Sequence, residues 1–296
     1  MPATSQQLTD RFSIPGLTFE EGSGGLTKAV ILTPVASGEL YLHGAHVTGW
    51  HPAGHAPVLW MSRASNFAAD KSIRGGVPIC FPWFGPHPSD ASKPAHGYAR
   101  IHEWTLVEAG ISDDGGIALT LEADIQPFVV QYRVQIGRVL TMSLTTHLSV
   151  AAGTVHRFED ALHTYLAVGD VHRISIAGLE QCGFIDKLDQ APEKAATGVP
   201  VEFTGETDRV YHQDNGSCVL IDRLKGRQVT VSKWGSKSTV VWNPWIDKSI
   251  RMADFGDHEW PEMVCIETAN TGSASVVLQP GQTHTTTAVI DVALLS

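Results

Sequence analysis

The sequence predicts one large, mostly antiparallel β-sandwich that spans residues 1–296 as a single domain, with few and short helices. Three observations predict this fold class: apolar and polar residues alternate over long stretches, turn residues are frequent, and helical periodicity is scarce. Hydrophobic residues make up 43% of the 296 residues and charged residues only 18%, which provides material for a large core. The 28 Gly and 16 Pro residues indicate many turns rather than long helices.

The clearest β pattern lies between residues 128 and 150. Apolar and polar residues alternate over 128–136, and the alternation resumes at Leu140 after Gly137 and Arg138. The sequence therefore predicts a long hairpin with one buried face. Shorter alternating runs predict further strands over 28–33, 39–43, 104–108, 117–122, 161–170, 218–222, 228–232, 275–278 and 285–292. Residues 5–12 are predicted to form a short N-terminal helix capped by Thr4 or Ser5, and 242–247 a packed loop.

Charge, cysteines and chain ends exclude several classes of protein. The formal net charge of −10 gives no general affinity for nucleic acids or anionic membranes. The N-terminus lacks the basic and apolar regions of a secretory signal, and no apolar run approaches the ~20 residues of a membrane helix. Cys80, Cys182, Cys218 and Cys265 form no CxxC pair, so we expect reduced core cysteines rather than disulfides or a zinc site. These features predict a cytoplasmic protein.

Residues 71–100 form a positive segment in this acidic chain. The segment carries a formal charge of +3, from Lys71, Arg74, Lys93, Arg100 and a single acid, Asp90. Arginine suits bidentate contacts to phosphate, and the rings of Trp83, Phe84 and Tyr98 could stack on a sugar. The alternative is a solvated loop whose arginines pair with nearby carboxylates.

Two further residues are candidates for acid–base chemistry. His163 and Tyr165 project from one face of the predicted 161–170 strand, where His163 is either a satisfied core residue or an acid facing a cleft. Glu267 lies among apolar neighbours in 263–270, where desolvation would raise its pKa towards that of a general base, or where it forms a buried salt bridge. The His43-x-x-His46 pair lacks further ligands at familiar spacing, so no metal or other cofactor is predicted.

Six ordered motifs carry a family resemblance. They are RGGVPICFPWFGPH from Arg74, HGYAR from His96, LHTYLAVGD from Leu162, DRVY from Asp208, WNPW from Trp242 and EWPEMVCIETAN from Glu259. In this order they resemble the hexose-6-phosphate mutarotases, the glucose-6-phosphate 1-epimerase-like branch of the galactose mutarotase superfamily.

The resemblance implies a large antiparallel β-supersandwich and a cytoplasmic isomerase without metal or cofactor. It implies that the enzyme interconverts the α and β anomers of a hexose 6-phosphate, with glucose 6-phosphate as the expected substrate. The roles implied by the matching positions are His163 as acid, Glu267 as base, Asp208 on sugar hydroxyls, His96 on the substrate, and Arg74 and Arg100 on the phosphate. Ala95 stands where the family often has glutamine, so one polar sugar contact differs.

Two alternatives stay open beside this interpretation. One is an aldose 1-epimerase for neutral sugars, and the other is a non-catalytic carbohydrate-binding β-sandwich. For the mutarotase we expect His163 and Glu267 to face one cleft from neighbouring strands, with room for a pyranose between them. The expected partner is a small phosphosugar, with no nucleic acid and no membrane. The sequence leaves the oligomeric state open, and a monomer is compatible with it.

Overall fold

A computed structural model describes residues 3–189, 193–212 and 216–295, and within these ranges strands predominate. The strands are β1 (Leu17–Glu21), β2 (Thr27–Leu32), β3 (Ala36–Tyr41), β4 (His46–Pro52), β5 (Ile79–Cys80), β6 (Thr105–Ile111), β7 (Ile117–Ile125), β8 (Phe128–Ile136), β9 (Leu140–Leu148), β10 (His156–Phe158), β11 (Asp160–Leu162), β12 (Tyr165–Ala167), β13 (Ile174–Ala177), β14 (Phe184–Asp186), β15 (Thr207–His212), β16 (Ser217–Asp222), β17 (Arg227–Trp234), β18 (Ser238–Asn243), β19 (Met263–Asn270), β20 (Val276–Leu278) and β21 (Thr283–Leu294). Two short α-helices, α1 (Ser5–Arg11) and α2 (Trp245–Arg251), complete the regular elements apart from single 3₁₀ turns. The predicted all-β class is confirmed.

The strands pair antiparallel in two large and two small sheets. The largest sheet has the order β13-β16-β17-β21-β9-β8-β7-β6. The seven-stranded sheet has the order β14-β15-β18-β19-β11-β5, and β12 also pairs with β19. A four-stranded sheet, β1-β2-β3-β4, and the β10-β20 pair flank them. The predicted hairpin is β8–β9, whose residues alternate between buried and more exposed positions as the sequence pattern requires.

A continuous apolar core joins the sheets. It includes Trp50 of the four-stranded sheet, Tyr132 of the eight-stranded sheet and Ile266 of the seven-stranded sheet, each at most 1% exposed. Apolar side chains from facing sheets therefore bury one another, which is the arrangement that a β-sandwich requires.

The centre of the seven-stranded sheet forms the floor of the site described below. Strand β19 is buried along its whole length and pairs with β18 on one side. On its other side it pairs with β11 and then β12, because the chain leaves the sheet at His163 and Thr164. The single strand predicted over 161–170 is thus wrong in detail: two three-residue strands flank a break that contains His163.

Helix α2 occupies part of the segment predicted as a loop. Pro244 ends β18, since it has no N–H for the ladder, and the Asn243 side chain accepts a hydrogen bond from the Trp245 N–H at 2.9 Å. At the other end of the chain, α1 begins after Thr4, whose side chain caps it as predicted. Within the described ranges, no helix combines the length and the apolar character needed to cross a bilayer.

Candidate active site

A cavity of about 380 Å³ opens on the face of the seven-stranded sheet, within the size range of small-molecule sites. It is lined by Arg74, Phe84, Gly85, Pro86, Ala95, His96, Arg100, His163, Lys187, Asp208, Trp242, Lys248, Met252 and Glu267. Strands β15, β18 and β19 supply Asp208, Trp242 and Glu267, while the positive segment 71–100 folds over them. Six of the predicted site residues therefore meet in one place, although they are far apart in the sequence.

His163 and Glu267 contact each other directly at the floor of this cavity. The distance from His163 Nε2 to Glu267 Oε1 is 3.3 Å, and the two side chains are 8% and 1% exposed. Both residues come from neighbouring segments of the sheet, as expected. The expected space for a pyranose between them is absent, because the β11–β12 link that carries His163 lies immediately beside β19. Any ligand must therefore lie over the pair, where it can reach both groups from one side.

Burial shifts the pKa values of this pair in opposite directions. The pKa of Glu267 lies well above its usual value, mainly because the carboxylate is desolvated and also because Asp208 is nearby. The pKa of His163 lies well below its usual value, owing to desolvation and then to the charges of Arg74 and Arg100. Both shifts favour the uncharged forms, which are a protonated carboxyl group and a neutral imidazole.

A stack of side chains fixes the orientation of His163. The Tyr165 ring lies parallel to the imidazole, with centroids 4.8 Å apart and an interplanar angle of 10°. The Tyr165 hydroxyl accepts a hydrogen bond from Arg74 Nη1 at 2.9 Å. Asp254 Oδ2 accepts from Arg74 Nε and Nη2, at 3.2 and 3.0 Å. Arg74 thus has a carboxylate partner, which is the arrangement that the alternative interpretation of the positive segment predicted.

His96 is held in a backbone conformation that few non-glycine residues adopt. Its φ of 64° is left-handed, and the Phe81 N–H donates to its carbonyl oxygen at 3.1 Å. The Gly85 N–H donates to Nδ1 at 3.2 Å, and burial and Arg100 lower the ring's pKa well below its usual value. The ring is therefore neutral with its hydrogen on Nε2, which makes it a hydrogen-bond donor in the cavity wall.

The remaining polar groups give the cavity lining an excess of positive charge. Four basic side chains, Arg74, Arg100, Lys187 and Lys248, face two acidic ones, Asp208 and Glu267. Lys248 Nζ lies 3.0 Å from Glu206 and 3.8 Å from Asp208, whose own pKa is raised by burial. In a chain of net charge −10, this lining is a local site for an anionic or polar ligand.

Trp83 and Tyr98 lie outside the lining of the cavity. The Trp83 indole donates to the Pro94 carbonyl at 3.0 Å, and the two rings meet edge to face with centroids 4.9 Å apart. Phe84 and Trp242 provide the aromatic walls instead. Trp242 belongs to the quoted WNPW motif and could have been selected from it, whereas nothing in the sequence pattern distinguished Lys187.

His163, Glu267 and Cys265 also bring three potential metal ligands together. Their ligand atoms lie within 4.8 Å of one another. Burial raises the pKa of the Cys265 thiol well above its usual value, which keeps the thiol protonated and opposes metal binding. The four cysteines are all free, and three of them, Cys80, Cys218 and Cys265, are core residues as expected, whereas Cys182 is only half-buried.

Comparison with known proteins gives the class to which this antiparallel β-sandwich belongs, the aldose 1-epimerases. The family model for aldose 1-epimerases matches residues 35–291, so the chain belongs to the aldose 1-epimerase family of isomerases. A protein of Escherichia coli (strain K12), provisionally named glucose-6-phosphate 1-epimerase, is 35% identical over 266 residues, which cover 86% of this chain and 87% of that one. A relative of the same provisional name in Salmonella typhimurium (strain LT2) is 34% identical, over 81% of both chains.

Solved structures agree with the fold assignment. The crystal structure of a protein from Salmonella typhimurium, provisionally called a mutarotase (YeaD), superposes with a TM-score of 0.87 at 30% identity and covers 95% of both chains. Galactose 1-epimerase from Lactobacillus acidophilus NCFM has a TM-score of 0.71 at 11% identity, over 95% of this chain and 99% of that one, which shows a shared fold. The predicted supersandwich is thereby confirmed, and membership of an enzyme family argues against the non-catalytic alternative.

Proposed function

We propose that this protein interconverts the α and β anomers of a hexose 6-phosphate, with glucose 6-phosphate as the main substrate, by acid–base catalysis at His163 and Glu267. The observation that carries the proposal is the contact of 3.3 Å between these two buried groups beneath a cavity that four basic side chains line. The provisional names of the relatives in Escherichia coli and Salmonella typhimurium support the choice of substrate.

The contact geometry suits a hemiacetal. In a pyranose, O1 and the ring oxygen are both bonded to C1, so an acid and a base that lie side by side can reach both oxygens. Glu267 removes the O1 proton while His163 protonates the ring oxygen, and the ring opens to the aldehyde. The aldehyde end rotates and the steps reverse on the other face: Glu267 returns a proton to O1, His163 takes one back from the ring oxygen, and both groups regain their starting protonation states. Each positioned group of this kind contributes about 10²–10⁴-fold to the rate.

The protonation state of the pair is compatible with this mechanism. The reactive form has an ionised Glu267 and a protonated His163, and it contains as many protons as the uncharged pair that burial favours. Sugar binding therefore has to move a proton within the pair, without exchange with solvent. Because the two groups titrate together, each apparent pKa describes the pair as a whole and not one of the two residues.

The polar groups around the pair suggest the orientation of the substrate. The ring oxygen is bonded to C5, which carries the phosphorylated C6, so the phosphate extends from the side of the acid. The charges of Arg74, Arg100 and Lys187 act on His163, and Asp208 raises the pKa of Glu267. Along the sugar the order is phosphate, ring oxygen, O1 and remaining hydroxyls. In the cavity the corresponding order is the basic side chains, His163, Glu267 and Asp208.

An aldose 1-epimerase for neutral sugars is the second candidate, and a specific observation favours it. Arg74 is neutralised by Asp254 at 3.0 Å, and Lys248 by Glu206 at 3.0 Å, which reduces the charge available to a phosphate. Anomerisation of glucose 6-phosphate and of glucose, followed by polarimetry or NMR, separates the two. The proposed function requires a kcat/KM at least about tenfold higher for the phosphorylated sugar, and equal values would favour the neutral-sugar enzyme.

Three broader expectations form part of the same proposal. The chain acts as one domain over residues 1–296, which is supported by a cavity whose lining extends from Arg74 to Glu267. A monomer is the proposed active unit. A cytoplasmic location agrees with a phosphosugar substrate.

A further inference from the structure

The four basic side chains of the cavity differ in how many hydrogen-bond donors they have left for a ligand. A guanidinium has five N–H groups and an ammonium three. Arg74 already uses three of its five, two on Asp254 and one on the Tyr165 hydroxyl. The charge of Lys248 is shared between Glu206 at 3.0 Å and Asp208 at 3.8 Å. Neither residue has its charge fully available for an anion.

Arg100 and Lys187 have most of their donors available. Arg100 Nη2 donates to the Ala95 carbonyl oxygen at 2.7 Å, and the buried Nε has no partner. Lys187 Nζ lies 4.4 Å from the centroid of the Phe84 ring, a cation–π contact that leaves its N–H groups unused. In the described part of the chain, neither side chain forms an ion pair with a carboxylate.

These two cations belong to one continuous wall of the cavity. The Phe84 ring beneath Lys187 meets the His96 ring edge to face, with centroids 4.8 Å apart. Ala95, the acceptor for Arg100, immediately precedes His96. The charges of Arg100 and Lys187 act on His96, as does that of Arg74. Lys187 is also exposed to solvent, so an anion beside it keeps part of its hydration, which lowers the cost of binding a dianion.

Arg74 is instead connected to the catalytic acid. Its Nη1 donates to the Tyr165 hydroxyl, and the Tyr165 ring stacks on His163. Asp254 also lies 3.0 Å from Arg74 Nη2, and its negative charge opposes the binding of a phosphate to this guanidinium. This arrangement fits a residue that orients His163 through Tyr165.

We propose that Arg100 and Lys187 bind the phosphate of the substrate, and that Arg74 is a positioning residue for His163. The inference rests on the proposed function, since it names the groups that would recognise a hexose 6-phosphate. It changes the role that the family resemblance implied for Arg74, and it adds Lys187, which no motif contained.

The test compares Lys187→Met, Arg100→Met and Arg74→Met by NMR exchange on glucose 6-phosphate and glucose. The control is Lys71→Met, which removes a positive charge from an exposed lysine that pairs with Asp70 outside the cavity lining. We expect Lys187→Met and Arg100→Met to raise KM for glucose 6-phosphate about 10- to 100-fold, since charge-assisted hydrogen bonds are the strong ones. The ratio of kcat/KM for glucose 6-phosphate over glucose should fall accordingly. Lys187→Arg should restore most of the loss.

Arg74→Met should behave differently. It should lower kcat on both sugars by a similar factor and change the ratio of kcat/KM for glucose 6-phosphate over glucose only slightly. Inorganic phosphate provides a second measurement: its competitive inhibition constant should rise in the Lys187 and Arg100 variants and stay within about twofold in Arg74→Met. The inference is overturned if Arg74→Met causes the selective rise in KM while Lys187→Met does not. If Arg100→Met does not fold, Lys187→Met tests the inference by itself, because an exposed lysine can be replaced without disturbing the core. A parent enzyme without preference for glucose 6-phosphate would refute the proposed function instead.

Discussion

Replacement of Glu267 by glutamine tests the base directly. Glutamine keeps the size of the side chain and removes the carboxylate that would accept the O1 proton. Glu267 is 1% exposed, its Oε1 contacts His163 Nε2 at 3.3 Å, and its Oε2 has no partner within the described part of the chain. We expect kcat on glucose 6-phosphate to fall by at least about 10²-fold, while KM changes little.

The same substitution should affect stability in a direction set by the pKa of Glu267. Because folding raises this pKa above 4.5, the contribution of Glu267 to stability is lost as pH rises from that value through the folded pKa. The loss is at most about 1.4 kcal/mol per pH unit for one proton. Glutamine does not titrate, so the difference in Tm between Glu267→Gln and wild type should move in favour of the variant as pH increases.

Polarimetry or NMR exchange measures the activity, and calorimetry at several pH values measures the stability. Glu262→Gln is a matched control, because Glu262 is a half-exposed carboxylate that pairs with Arg63 just before β19. It should retain wild-type kcat. A kcat for Glu267→Gln within a few-fold of wild type would remove Glu267 from the role of base, whatever the change in Tm.

Three further predictions concern the charges of the site. The pH profile of kcat/KM on glucose 6-phosphate should be bell-shaped. At low pH, activity falls when the His163–Glu267 pair gains a second proton, with a pKa below the usual value of a histidine. At high pH, activity falls when the pair loses its last proton, with a pKa above the usual value of a glutamate. A profile that is flat across this range would contradict the assignment. Asp208→Asn should move the alkaline limb of this profile to lower pH, because it removes a negative charge that raises the pKa of Glu267. An alkaline limb at the same pH as in wild type would refute this coupling. In initial-rate assays with glucose 6-phosphate, sulfate should inhibit the wild-type enzyme competitively. It should inhibit Arg100→Ala about 10- to 100-fold more weakly. Equal inhibition of the two enzymes would exclude a contact between Arg100 and the anion.

Most of the fold could be predicted because a β-strand with one buried face requires apolar and polar residues to alternate along the sequence. The alternation over residues 128–150 predicted β8 and β9 to within a residue or two, since successive side chains of a strand point to opposite faces. The break at His163 was missed for the same reason. Local alternation continues through residues 161–170, and only the pairing of β11 and β12 with β19 shows that the strand is interrupted.

The sequence by itself determined the all-β class, the turns and, through its ordered motifs, the candidate residues His163, Glu267, Arg74, His96, Arg100 and Asp208. Tertiary structure alone decided how these residues are combined. It removed the gap between His163 and Glu267, paired Arg74 with Asp254, turned Trp83 away from the cavity and brought Lys187 to its rim. The physical reason is that the direction of a side chain in an irregular segment depends on contacts with distant parts of the chain. The hydrogen bonds from Gly85 and Phe81 that hold His96 at positive φ are an example. Such contacts produce no periodic pattern in the sequence.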